Sequence, residues 1–91
     1  MTDKEVKILM QAVETYGKAN QVDKAIEEMS ELTKALLKER QKAGSVNDII
    51  EEMADVSIML AQLMLIFEAS TVWEDYVSFK IKRLEHKLQP K

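Results

Sequence analysis

Two carboxylate pairs carry the chemistry open to this chain. Glu28 and Glu31 lie within Glu27-Glu28-Met29-Ser30-Glu31, and Glu52 and Asp55 within Glu51-Glu52-Met53-Ala54-Asp55; each pair is spaced i,i+3. On a helix that spacing sets both carboxylates on one face, about one turn apart. Four carboxylates converging from two packed helices repel one another unless a cation neutralises them. An all-oxygen donor set of this kind suits Mg²⁺ or Mn²⁺. The plainer reading is a solvated face, which is what a Glu-Glu-x-x-Glu on a helix ordinarily is. Lys24 and Lys34 are placed to form surface ion pairs with Glu28 and Glu31. Three features favour a site instead. The pattern recurs. Glu28 borders the apolar positions Ala25 and Leu32, as Glu52 borders Val56, instead of standing opposite them. The second cluster also runs straight into the most apolar stretch of the chain, where unpaired charge is costly.

The elements that must hold these acids read as four helices. Thr2-x-x-Glu5 has the form of a capping box, and Gly17 can close the helix it opens. Asn20 is the expected N-cap of a second helix, with Val22, Ala25, Ile26, Met29, Leu32 and Leu36 as its apolar positions. Gly44 is expected to end it, and Ser45 with Asp48 to start a third helix running through Ile49, Ile50, Met53, Val56, Leu60, Leu63, Met64 and Phe67. Thr71-x-x-Glu74 predicts a capped fourth helix carrying Trp73, Tyr76, Val77, Ile81, Leu84 and Leu88. Short connections make neighbours antiparallel. Beyond Asp55 the third helix is apolar almost all round, with Ile58 and Leu65 opposite Leu60 and Phe67. A helix of that kind must be surrounded, and a short chain has few partners to offer. The expected architecture is therefore an all-α, four-helix subunit within a homo-oligomeric helical bundle, either a dimer or a dimer of dimers.

Composition limits the partners. The chain has 91 residues, enough for one domain spanning 1–91, with two glycines and a single proline. Its net charge of −3 argues against nucleic acid, whose phosphates are bound by basic excess. Without cysteine there is neither a disulfide framework nor a thiolate metal site, which fits a reducing cytoplasm. The start lacks the basic and apolar regions of a signal peptide. The longest apolar run, Val56 to Phe67, is broken by Ser57 and Gln62 and is too short to span a bilayer.

The order Tyr16-Gly17, Gln21, Glu27-Glu28-x-x-Glu31-Leu32, then Glu51-Glu52-x-Ala54-Asp55-Val56 resembles the MazG-like all-α nucleoside triphosphate pyrophosphohydrolases. Their signature is E-E-x-x-E followed by E-x-x-D. The resemblance runs from about Tyr16 to Leu88. It implies hydrolysis of a nucleoside triphosphate between its α and β phosphates, for nucleotide-pool control. It also implies Mg²⁺ held by Glu28, Glu31, Glu52 and Asp55, with Glu27 in a supporting or water-activating role. Gln21 corresponds to a family position near the base. Lys80 and Arg83, in the stripe Lys80, Arg83, Lys87, correspond to basic residues that approach the phosphates; alternatively that stripe is a solvated helix end. Trp73 and Phe67 are read as core aromatics. Arg83 stands three residues before His86, so no Glu-x-x-His motif exists, which counts against a di-iron carboxylate site. The rival to an enzyme is a helical interaction module that docks through its third helix and leaves the acids solvated.

Overall fold

Four helices account for nearly all of residues 1–90, the part described by the computed structural model: α1 (Asp3–Tyr16), α2 (Lys18–Arg40), α3 (Val46–Ile66) and α4 (Ser70–Leu88). Thr2 and Glu5 form the expected capping box. The Glu5 N–H donates to Thr2 Oγ1 at 3.1 Å and the Thr2 N–H to Glu5 Oε1 at 2.8 Å. Gly17 takes a φ of 90°, open to a residue without Cβ. The chain re-enters a helix at once, so α2 begins at Lys18 and Asn20 is not its cap. The Asn20 side-chain amide instead donates back to the Tyr16 carbonyl at 2.8 Å, satisfying an orphan acceptor at the end of α1.

The α2–α3 connection also differs from expectation. Lys42, not Gly44, adopts the left-handed conformation (φ 62°) beyond the end of α2. Gly44 serves close approach. A Cβ there would lie 3.0 Å from Lys38 Cβ and 3.2 Å from the Glu39 nitrogen. Ser45 caps α3 as expected, its Oγ accepting from the Asp48 N–H at 3.2 Å. The Thr71 capping box does not form. Glu68 turns the chain at φ 52°, and the Trp73 N–H reaches the Ala69 carbonyl at 2.8 Å. The helix therefore starts at Ser70, and Thr71 already lies inside its first turn.

The main packing is between α2 and α3, which run antiparallel: Gln21 meets Gln62 near one end, and Glu28 meets Glu52 and Asp55 further along. On α2 the residues turned to this seam are Gln21, Ala25, Glu28, Leu32 and Ala35, alternately four and three apart. The apolar positions expected to form the core are mostly elsewhere. Ala25 is buried and Val22 and Leu32 are half-buried, while Ile26, Met29 and Leu36 remain exposed. Small alanines let the helices approach, and the seam rotates toward them and the polar residues. Buried apolar side chains are few: Val13 from α1, Ala25 and Ala35 from α2, and Met59 from α3. α1 packs on α3 and α2, whereas α4 packs on α3 alone and buries no residue. Trp73 and Phe67, expected in a core, are exposed. No helix among the described residues is long and apolar enough to cross a membrane.

Candidate metal centre

The seam brings acids together from both helices. One carboxylate oxygen each from Glu28, Glu52 and Asp55 lie within 4.8 Å of one another. That span is comparable with the roughly 4–5 Å between opposite oxygens around a hard divalent cation, twice its metal–oxygen bond. Glu28 comes from the facing row of α2. Its side chain keeps 14% of its accessible surface, against 63% for Glu27 one position back. Among the described residues Lys24 supplies the single ammonium beside this pair, 3.3 Å from Glu28 and 3.7 Å from Glu27. The bond to Glu28 and the charges of both glutamates raise the Lys24 pKa.

Glu52 is the unusual member. Its Oε2 is buried and has no hydrogen-bond partner among the described residues. A buried carboxylate oxygen without a donor is costly. Desolvation, then the charges of Asp55, Glu28, Glu31 and Glu51, push its pKa above the ordinary glutamate value. No protein cation compensates it within salt-bridge distance among the described residues. A divalent ion would relieve both the missing bond and the repulsion, so the donor set fits Mg²⁺ or Mn²⁺.

Glu31, expected as a fourth ligand, lies outside this trio. Its Oε1 faces Lys34 Nζ at 3.5 Å, although its charge still acts on Glu52. Glu31 and Glu52 line a cleft that opens between the end of α2 and the start of α3, with Lys34, Lys38, Asp48 and Glu51 around it. Lys34 and Lys38 were not among the residues expected to meet a substrate. Their spacing of three and seven from Glu31 puts them on its face of α2 and was the available signal.

The other expected substrate residues stand apart from the acids. Gln21 is buried, its Nε2–H donating to Gln62 Oε1 at 2.6 Å, two helical turns from Glu28. Lys80 and Arg83 are exposed on α4, which does not pack against α2. Among the described residues neither forms an ion pair. No family model, curated protein or solved structure matches this chain. The likeness to MazG-like enzymes therefore rests on the acidic motifs and their spacing.

Proposed function

We propose that this protein is a Mg²⁺-dependent nucleoside triphosphate pyrophosphohydrolase of the MazG-like kind, cleaving (d)NTP to (d)NMP and pyrophosphate in the cytoplasmic nucleotide pool. The observation that carries the reading is the trio Glu28, Glu52 and Asp55, drawn from two helices, with a buried Glu52 oxygen that has no donor. A helical interaction module would have little reason to set Glu28 and Glu52 in its main seam beside the exposed Asp55, where burial of the Glu52 oxygen is costly.

In this reading Glu28, Glu52 and Asp55 hold the cation, and Glu31 turns from Lys34 to join them. Bound Mg²⁺ supplies charge neutralisation for the triphosphate and its departing pyrophosphate. The chain's own part is to fix the hard oxygens on rigid helices. Glu27, exposed beside Lys24, keeps the supporting role. Lys34 and Lys38, which line the adjoining cleft, are the cations this chain itself brings to the phosphates.

A panel of nucleotides assayed with and without Mg²⁺ tests the activity, and isotope labelling tests the bond broken. The chain has no G-x-x-x-x-G-K-[ST] loop to cradle phosphates for γ-phosphoryl transfer. Water should therefore attack the α-phosphorus and break its bond to the bridging oxygen of pyrophosphate. In ¹⁸O water, label is expected in the nucleoside monophosphate and none in pyrophosphate. Release of inorganic phosphate and a nucleoside diphosphate would refute the reading.

The two groups of candidate cations can be separated by kinetics. Lys38→Ala is expected to raise KM or lower kcat by roughly tenfold, about the loss of one modest charge interaction, while Mn²⁺ affinity stays near that of the parent. Arg83→Ala should have the smaller effect if the triphosphate is held within one subunit. The reverse order would assign the phosphates to α4, reached from a neighbouring copy.

A further inference from the structure

Every ion pair among the described residues lies on α2 and ends on an acid of the segment Glu27–Glu31: Lys24 reaches Glu27 and Glu28, and Lys34 reaches Glu31. Elsewhere the same spacing goes unused. Lys82 and Glu85 on α4 repeat the order and separation of Lys24 and Glu27 but form no pair. Spacing alone therefore does not seat these lysines; the local excess of negative charge does. The acids of α3 gain no such partner. Neither Glu52 nor Asp55 has an ammonium within salt-bridge distance among the described residues.

Lys24 is the more informative of the two lysines. Its partner Glu28 keeps only 14% of its side-chain exposure, whereas the Lys34–Glu31 pair is open at both ends. A lysine four residues before a glutamate is also the weaker order for supporting a helix. Glu28 is at the same time one of the three acids whose oxygens converge across the seam. An ammonium and a metal ion thus have claims on one carboxylate. The ammonium lies 3.3 Å from Glu28 Oε1. A metal–oxygen bond of about 2 Å on the same carboxylate would leave the two cations roughly 5–7 Å apart, where they repel even in water.

Lys24 has a second seat. Glu27 Oε1 lies 3.7 Å from its Nζ, on a side chain that is 63% exposed. A short swing of the lysine carries its charge from Glu28 to Glu27 without leaving it unpaired. We infer that Lys24 is a built-in counter-ion of the empty site, seated on Glu28 when no metal is bound and moved to Glu27 when a cation takes Glu28. The inference rests on the metal-binding reading and makes Lys24 and Glu27 positioning residues. Together they neutralise Glu28 in the empty site and set how tightly the cation is held.

Calorimetric titration with Mn²⁺ alone reads the exchange. Lys24→Met should bind Mn²⁺ roughly three- to tenfold more tightly than the parent, the scale of one partly screened charge interaction. Its metal-free melting temperature should fall, because Glu28 loses its counter-ion, and the rise on adding Mn²⁺ should grow. An ion pair of purely structural value would lower both melting temperatures alike and leave the affinity unmoved. Lys24→Arg keeps the charge and should bind as the parent does. Lys82→Met removes the same charge from α4 and should change nothing. Glu27→Gln takes away the second seat, so it should weaken Mn²⁺ binding more in the parent than in the Lys24→Met background, a coupling that a double-mutant cycle measures. Parent-like or weaker affinity in Lys24→Met would overturn the inference. So would an equal gain in Lys82→Met or Lys24→Arg, or equal losses from Glu27→Gln in both backgrounds. A parent protein that binds no Mn²⁺ fails differently: it removes the metal-binding reading itself, and the counter-ion role with it.

Discussion

Glu52→Gln is expected to weaken metal binding and cut turnover sharply while raising the melting temperature of the metal-free protein. The two effects share one cause. In the absence of a cation, Glu52 has a buried oxygen without a donor and stands among Asp55, Glu28, Glu31 and Glu51. Glutamine keeps the shape, removes the charge and brings donors of its own. Because the folded-state pKa of Glu52 is raised, the native protein binds a proton there more readily than the unfolded chain does. The contribution of this group to metal-free stability therefore falls as pH rises from the ordinary value of 4.5 through the raised value, and recovers on acidification. Melting temperatures of parent and variant should converge as pH is lowered through that window.

The metal arm reads the same residue from the other side. A cation at 100 times its Kd stabilises the parent by about 2.7 kcal/mol. That corresponds to an upward shift of roughly 10–20 °C for a domain this small. Glu52→Gln should lose most of the shift and more than about 100-fold of turnover, beyond the loss typical of changes behind a metal's ligands. Calorimetry showing the parent's Mn²⁺ affinity in the variant would remove Glu52 from the site.

What the sequence disclosed of this arrangement, and what it hid, follows from the range of each interaction. Caps made by neighbours three residues apart were legible: Thr2 with Glu5, and Ser45 with Asp48, both form. Thr71 with Glu74 has the same form but fails, because the turn at Glu68 starts the helix earlier. The acid pairs were legible as helix faces, and the structure brings together Glu28, Glu52 and Asp55 but not Glu31. Which face of α2 meets α3 was not legible. Hydrophobicity points to Val22, Ala25, Ile26, Met29, Leu32 and Leu36; Ala25 and Leu32 do lie in the seam, but Ile26, Met29 and Leu36 stay exposed, because Ala35 and a side-chain bond across 41 positions turn the helix toward its small and polar residues. The lysines of the cleft were hidden for a related reason. Lys38 shares a face of α2 with Glu31 and Lys34, as spacing indicates, but the opposite wall of its cleft, Gly44, Asp48 and Glu51, comes from across the turn.

That bond between Gln21 and Gln62 supports the second large effect. Both amides are buried, at 8% and 4% exposure, and are joined at 2.6 Å. Gln21→Leu or Gln62→Leu alone leaves the remaining amide in the seam without its partner. Each is expected to cost about 1–3 kcal/mol, the penalty of an unsatisfied buried polar group. In a domain of this size that lowers the melting temperature by roughly 4–8 °C per kcal/mol. Replacing both together removes the polar pair and leaves leucine against leucine, so much of the loss should return. A double-mutant cycle followed by thermal unfolding measures the coupling directly. The same four proteins decide whether Gln21 meets the base, as its place in the motif implies. If its role is confined to the seam, KM follows stability and recovers in the double variant. If Gln21 swings out to substrate, KM stays high in the double variant although the fold has recovered, because leucine cannot replace the amide's hydrogen bonds. Additive destabilisation with no coupling would mean that the two amides do not depend on each other, and that the α2–α3 register is held by the other seam residues, Ala25, Leu32, Ala35 and Met59 among them.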